Sequence, residues 1–222
     1  MGYRNLQGCV ADLERHGMLR RIEVAVDPYL EVGEIQRRVY QANGPALLFT
    51  RATGCGFPLL GNLFGTLERT RFIFRDTLGT IERMVAAKVN PFSLLKDPLG
   101  ALTLPAAALR LLPRTVSASS APALSCRTSL QGLPGLTSWP MDGGPFITLP
   151  QVYSESPLKP GFGKSNLGMY RVQLSGNRYQ PDRQVGLHYQ IHRGIGLHHS
   201  EAMQRGGALA GYIFLGGAPA MS

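Results

Sequence analysis

Apolar positions in the first half of the chain recur with two periods, and each period marks a different element. Leu6, Cys9, Val10 and Leu13 fall on one side of a 3.6-residue repeat, with Asn5 placed to cap the helix and Gly17 to end it. From Leu19 to Val26 the period falls to two, and Ile22, Val24 and Val26 line one face of a predicted strand. Pro28 can open a second helix carrying Leu30, Ile35 and Val39, which Asn43-Gly44 would close. The short apolar runs 46–50 and 57–60 read as strands, and 67–75 and 80–88 as helices. Helices and strands mixed in this way predict an α/β or α+β first domain.

The pattern changes at Pro113. Residues 115–122 are rich in Ser and Ala and read as a linker, so the expected division is 1–114, 115–122 and 123–222. Beyond the linker Pro and Gly recur, and no amphipathic helix is expected before about Ile195. Residues 146–149, 167–174, 185–191 and 209–215 are strand candidates, and short strands separated by turn signals predict a barrel or sandwich. A further α/β unit is expected to begin near Gly216-Gly217, so the second domain reads as truncated at Ser222.

With 222 residues, 44% of them hydrophobic, the chain can bury a sizeable core. Its net charge of +9 is spread along the length, with 15 Lys/Arg against 10 Asp/Glu up to Arg114 and 8 against 4 after it. No basic run is dense enough for a nucleic-acid arm, so no nucleic-acid partner is expected. A basic face does attract phosphates, acidic ligands or an anionic membrane surface, although most such excess is a solvated face. Cys9, Cys55 and Cys126 are odd in number and widely spaced, which fits reduced thiols rather than a disulfide framework or a zinc site. Early charges and the lack of an apolar signal core point to a cytoplasmic protein. The run from Leu99 to Leu112 is too short to span a bilayer and carries Arg110; it suits a membrane surface or a buried helix.

Candidate chemistry concentrates after the linker. Arg171 lies in an apolar stretch two residues from both Met169 and Gln173, which places all three on one strand face. A charge there needs a partner, either a substrate carboxylate or a carboxylate side chain. Four of the five histidines fall between 188 and 199, and His188, Gln190 and His192 alternate as on one strand face. His198-His199 read as an exposed helix start with no assigned role. Asn166, taken alone, reads as a turn residue before a strand. Asp142-Gly143-Gly144 and Gly206-Gly207 match neither a dinucleotide fingerprint nor a P-loop.

Several segments, in order, carry a resemblance. They are Asn5-Leu6 with Leu13-Glu14 and Gly17; 22–34 (IEVAVDPYLEVGE); 43–49 (NGPALLF); and 61–66 (GNLFGT). They continue with 139–150 (WPMDGGPFITLP) and, most specific, 166–174 (NLGMYRVQL). Over nearly its whole length the chain resembles the N-terminal part of the UbiD family of decarboxylases. That resemblance implies an N-terminal α/β domain followed by a flavin-reductase-like split β-barrel. It implies non-oxidative decarboxylation of an aromatic or α,β-unsaturated acid, such as polyprenyl-4-hydroxybenzoate in ubiquinone biosynthesis. The implied cofactor is prenylated FMN, held through its phosphate by Mn2+ or another divalent cation, with K+ nearby.

By the same resemblance Asn166 and His192 are metal ligands. Met169, Tyr170, Arg171, His188, Tyr189, Gln190, Arg193 and Gly194 contact the flavin, and Arg171 is catalytic. The family's acidic metal ligand and its acid/base carboxylates are expected beyond Ser222. Implied partners are a flavin prenyltransferase that supplies the cofactor, further copies of a full-length chain, and the periphery of the inner membrane. The contrasting expectation is a truncated, inactive product or a flavin-binding module of the flavin-reductase kind.

Overall fold

The computed structural model describes residues 2–90, 100, 104–110, 112–113, 115–124 and 126–221. They form two compact units, one of residues 1–2 and 70–127, the other of 3–69 and 128–222. The smaller unit holds α4 (Leu78–Val89) and α5 (Leu104–Arg110), which touch each other. Of the expected apolar stretch Leu99–Leu112, residues 99, 101–103 and 111 lie outside the described residues, and 104–110 are helical.

The larger unit opens as its sequence predicts. In α1 (Leu6–Arg15) the Asn5 side chain accepts a hydrogen bond from the Gly8 N–H, and Leu13 and Cys9 are buried. Gly17 takes φ +70, and the Met18 N–H returns to the Leu13 carbonyl, which closes the helix with a left-handed residue. β1 (Leu19–Ile22), α2 (Glu31–Gln41) and β2 (Ala46–Phe49) make a parallel crossover unit, and β3 (Leu59–Gly61) pairs antiparallel with β2. β2 is buried at every position, as a central strand should be. The core beneath it joins Val26, Val32, Leu47, Phe49, Ala52 and Leu59.

Two details of this half depart from the expected pattern. β1 ends at Ile22, and Val24 is 69% exposed whereas Val26 is 2% exposed and bridges to Ala52. The backbone bends at Val24, so the three valine and isoleucine positions do not share one face. Leu30 precedes α2 rather than lying within it, and Val32 supplies the buried contact of the first turn.

The 61–66 segment has a structural reason of its own. Asn62 takes φ +54 and donates to the carbonyls of Gly44 and Pro45 at 3.2 and 2.9 Å. A Cβ on Gly65 would lie 1.8 Å from Asn62 Oδ1, so a larger residue there would force the Asn62 carboxamide off its two carbonyl partners. Arg69 is buried and donates to the carbonyls of Leu63, Gly44 and Asn62 at 2.9, 3.0 and 2.6 Å. The Thr66 hydroxyl accepts from the Arg69 N–H at 3.2 Å and caps α3 (Leu67–Phe74).

The rest of the larger unit contains two separate three-stranded sheets. β4 (Phe146–Ile147), β7 (Val172–Gln173) and β8 (Gly186–Leu187) form one, in the order β4-β7-β8. β5 (Gln151–Glu155), β6 (Ser165–Met169) and β9 (Gly211–Phe214) form the other, in the order β6-β5-β9. All pairs are antiparallel. No closed barrel is present among the described residues; the two sheets are open. α6 (Gly194–Gln204) follows β8. No helix among the described residues is long and apolar enough to cross a membrane.

Candidate functional site

The stretch expected as one strand over 167–174 is two strands in different sheets. Met169 pairs with Gln151 in one, whereas Val172 pairs with Ile147 and Leu187 in the other. The chain changes sheet at Tyr170-Arg171, so Met169, Arg171 and Gln173 do not share a face. Met169 is half exposed, and Gln173 is buried, donating to the Gly143 carbonyl at 3.1 Å. This switch point is where the candidate residues gather.

One group lies on the face of β5 and β6 that α6 covers. Asn166 is the cross-strand partner of Ser154, so the two side chains leave the sheet on the same side. Ser154 Oγ and His198 Nδ1 are 2.9 Å apart in a buried contact, and the Ser156 hydroxyl donates to Glu201 Oε2 at 2.6 Å. Two residues along the strand match three along the helix, which holds α6 along β5. Gly194 opens the helix; a Cβ there would stand 2.2 Å from Asn166 Oδ1. Only glycine lets that carboxamide rest on the first turn.

Asn166 Nδ2 donates to the Tyr170 hydroxyl at 3.2 Å. The Tyr170 ring turns back over Gly168, where a Cβ would come within 2.8 Å of it. Tyr189 meets Tyr170 edge to face at 6.4 Å between centroids, and its hydroxyl contacts His199 Nδ1. Arg193 occupies the N-cap of α6, exposed, with Nε donating to Gln190 Oε1 at 3.2 Å. Asn166, Tyr170, Tyr189, Gln190, Arg193 and Gly194 thus form a linked set of neighbours running to the N-terminus of α6. Helix N-termini present free N–H groups and positive potential, a setting for an anion.

The second group surrounds Arg171. Its Nη2 donates to Asp142 Oδ1 at 2.9 Å, and its guanidinium carbon stands 3.6 Å from the centroid of Phe146. His188 meets the edge of the same ring at 5.4 Å. The other Asp142 oxygen accepts the backbone N–H groups of Ser138 and Trp139, both at 3.0 Å. Desolvation pushes the Asp142 carboxyl up, but the Arg171 hydrogen bond and the two backbone bonds outweigh it and hold the group below its ordinary value. Phe146 also walls an apolar groove of about 430 Å³ shared with Leu136, Ile147, Leu59 and Phe64. The groove lining carries no charged side chain.

His188, Gln190 and His192 do not alternate on a strand, because β8 ends at Leu187. His192 lies in an exposed turn ahead of α6. His198 is not an exposed residue at a helix start; it is 6% exposed and sits inside the helix against Ser154. Asp142, Ser154 and the two helix histidines went unassigned in the sequence. The repeat Ser154/Ser156 set against His198/Glu201 was the available signal.

A flavin phosphate suits the first group, since the Asn166 carboxamide rests on the glycine that opens α6 and an exposed arginine holds the N-cap position. A divalent metal is served less completely. Among the described residues no group of three or more His, Cys, Asp or Glu is placed to hold a metal ion. Asn166 and His192 would supply two neutral donors, leaving the acidic ligand to come from elsewhere.

Residues 10–88 match the family model of the 3-octaprenyl-4-hydroxybenzoate carboxy-lyase N-terminal domain, and residues 114–222 match its Rift-related domain. The chain is 40% identical over 203 residues to a Chlamydia pneumoniae protein whose name makes it part of a 4-hydroxybenzoate decarboxylase, covering 87% of this chain and 32% of that one. It spans about a third of the length of the curated relatives it matches. The UbiD-class enzyme HmfF from Pelotomaculum thermopropionicum, solved in complex with FMN, superposes with a TM-score of 0.73 at 26% identity, over 97% of this chain and 43% of that one. The closed form of vanillic acid decarboxylase from Sedimentibacter hydroxybenzoicus shares the fold, with a TM-score of 0.77 at 21% identity over 100% of this chain and 44% of that one.

Proposed function

Because the chain belongs to the UbiD family of carboxy-lyases, we propose that it is the N-terminal part of a decarboxylase that uses prenylated FMN to release carbon dioxide from an aromatic or α,β-unsaturated acid. The observation that carries this reading is the contact of Asn166 with Gly194 at the N-terminus of α6. It offers a flavin phosphate a carboxamide, the Arg193 guanidinium and free helix N–H groups together. Tyr170, Tyr189 and Gln190, with Met169 and His188 on either side of the sheet switch, are the walls against which the flavin would lie. Asn166 Oδ1 and the His192 imidazole would hold manganese, which accepts mixed oxygen and nitrogen donors. An acidic ligand would complete the metal's coordination, and potassium would bind nearby.

When bound, the prenylated flavin supplies the electron sink for carbon dioxide departure. The chain's own contribution is orientation. Arg171 is held flat on Phe146 and keyed by Asp142, so its remaining N–H groups are fixed in direction and can receive a carboxylate in bidentate fashion. Substrates of the polyprenyl-4-hydroxybenzoate, phenolic and cinnamic kinds fit this chemistry equally. Ubiquinone biosynthesis at the inner-membrane periphery is the proposed setting for the first. The two open sheets are read as part of a split barrel, and the chain as an N-terminal domain over 1–114, a linker over 115–122 and a cofactor-binding domain over 123–222. Assembly with further copies or with a different protein chain, and cofactor supply by a flavin prenyltransferase, complete the proposal.

The pairing of Arg171 with Asp142 favours a second reading. A guanidinium already matched to a carboxylate can be wholly structural, and the chain would then be a flavin-binding module without turnover of its own. Carbon dioxide release from a panel of such acids, by a chain extended to the length of its relatives and loaded with prenylated FMN and manganese, separates the two. Release that is lost in Arg171→Ala with full cofactor loading supports the catalytic reading; unchanged release makes Arg171 structural.

A further inference from the structure

We infer that His198 is a positioning residue for the cofactor end of α6, acting through Ser154 on the placement of Gly194 against Asn166; this rests on the reading of Asn166 and Gly194 as part of the flavin site.

Ser154 and Asn166 are direct cross-strand partners, so their side chains are neighbours on one face of the sheet. Gly194 and His198 are four residues apart on α6, so they are neighbours on one face of the helix. The two pairs meet in register, Gly194 on Asn166 and His198 on Ser154. Ser154 is 1% exposed and His198 is 6% exposed, so their 2.9 Å hydrogen bond is sealed from water. A buried polar pair of this kind has one low-energy arrangement, because sliding the helix would leave both groups unsatisfied. Apolar packing alone does not fix register so sharply; Ile195 and Ala202 flank the pair but tolerate small shifts. Ser156 with Glu201 adds a second bond further from the site, where Glu201 is only partly buried.

A shift of a few tenths of an ångström would be felt at Gly194, where even a methyl group would stand 2.2 Å from the carboxamide oxygen. His198 is tied to the sheet by its bond to Ser154, the cross-strand neighbour of Asn166, and touches neither Asn166 nor Gly194 with a reacting group of its own. Its effect is therefore indirect, and it should alter affinity for flavin rather than supply a reacting group.

The test is titration of FMN, followed by flavin fluorescence, into the chain extended to its relatives' length with manganese present. His198→Leu keeps the volume and removes the hydrogen bond; His198→Asn restores a polar atom near the Nδ1 position. We expect His198→Leu and Ser154→Ala each to weaken FMN roughly tenfold, about 1.4 kcal/mol. His198→Asn should recover most of that loss, and the Ser154→Ala/His198→Leu pair should be no weaker than either single variant. Equal FMN affinity in wild type and His198→Leu, or additive losses in the pair, would overturn the inference. Absence of FMN binding by the wild type would instead overturn the reading of the site. In that case amide hydrogen exchange at Ile195–Leu197 decides the positioning claim on its own. Faster exchange in His198→Leu with the core of β2 unchanged supports it, and equal exchange defeats it.

Discussion

Arg171 and Asp142, 29 positions apart in the sequence, meet in a 2.9 Å hydrogen bond that joins the sheet switch after β6 to the glycine-rich loop before β4. The Asp142 side chain is 7% exposed and the Arg171 side chain 39%, so the carboxylate depends on the arginine more than the reverse. Arg171→Ala would leave a nearly buried carboxylate with only its two backbone donors. In an extended chain loaded with cofactor, decarboxylation should fall by about 3 kcal/mol, on the order of a hundredfold in rate. Arg171→Lys should also be poor, because an ammonium cannot hold Asp142 and a substrate carboxylate in one plane. Steady-state carbon dioxide release beside bound-flavin absorbance checks both; near-normal turnover with full loading would count against the role.

The same pair sets an acid dependence. Asp142 titrates below its ordinary value in the folded chain, so it binds a proton more readily when unfolded. Its stabilisation is fully present above the unfolded carboxyl pKa of about 3.9 and is lost as pH falls through the lower folded value. Glu34, bonded first by Arg37 and then by Arg38, is held down to about 2 and acts in the same direction, though solvent screens it. Urea midpoints measured from pH 7 to pH 3 should decline less steeply in Asp142→Asn than in wild type. Parallel declines would show that the buried pair carries no linkage.

Much of the first half was legible because its signals are local. Asn5, Gly17 and the spacing of Leu6, Cys9 and Leu13 define α1 without reference to any other element. The second half was less legible because its order depends on distant partners. β5 was not foreseen: Gln151 and Ser154 are polar yet buried, so the strand lacks the alternation that marks one. The break at Tyr170-Arg171 was hidden because both flanks are strand but pair in different sheets, which no local pattern reveals. His198 looked like surface because its partner lies 44 residues away. The resemblance singled out Asn166, Tyr170, Tyr189 and Gly194 as candidates; their contacts with one another needed the fold.

Gly194→Ala should be a sharper probe than its size suggests. The added carbon would displace the Asn166 carboxamide, whereas alanine itself favours the helix. We expect flavin content to fall severalfold while the thermal midpoint stays within a few degrees. Retained flavin in Gly194→Ala would show that the contact is packing only.

Residues 1–222 alone are expected to release no carbon dioxide from aromatic or unsaturated acids, even with prenylated FMN, manganese and potassium supplied. Asn166 and His192 are neutral donors, and a divalent cation prefers carboxylate oxygen. β9 is also exposed at Tyr212, Ile213 and Phe214, which invites association through its edge. Clear turnover by a monodisperse preparation of this length would place the essential acids within it.

The most direct measurement is native mass spectrometry of the extended chain produced together with a flavin prenyltransferase, as wild type, Asn166→Ala and His192→Ala. The account predicts wild-type protein carrying one prenylated FMN and manganese, with both strongly reduced in the two variants and the fold retained. Wild type without flavin, or the same flavin and metal content in all three, would contradict it.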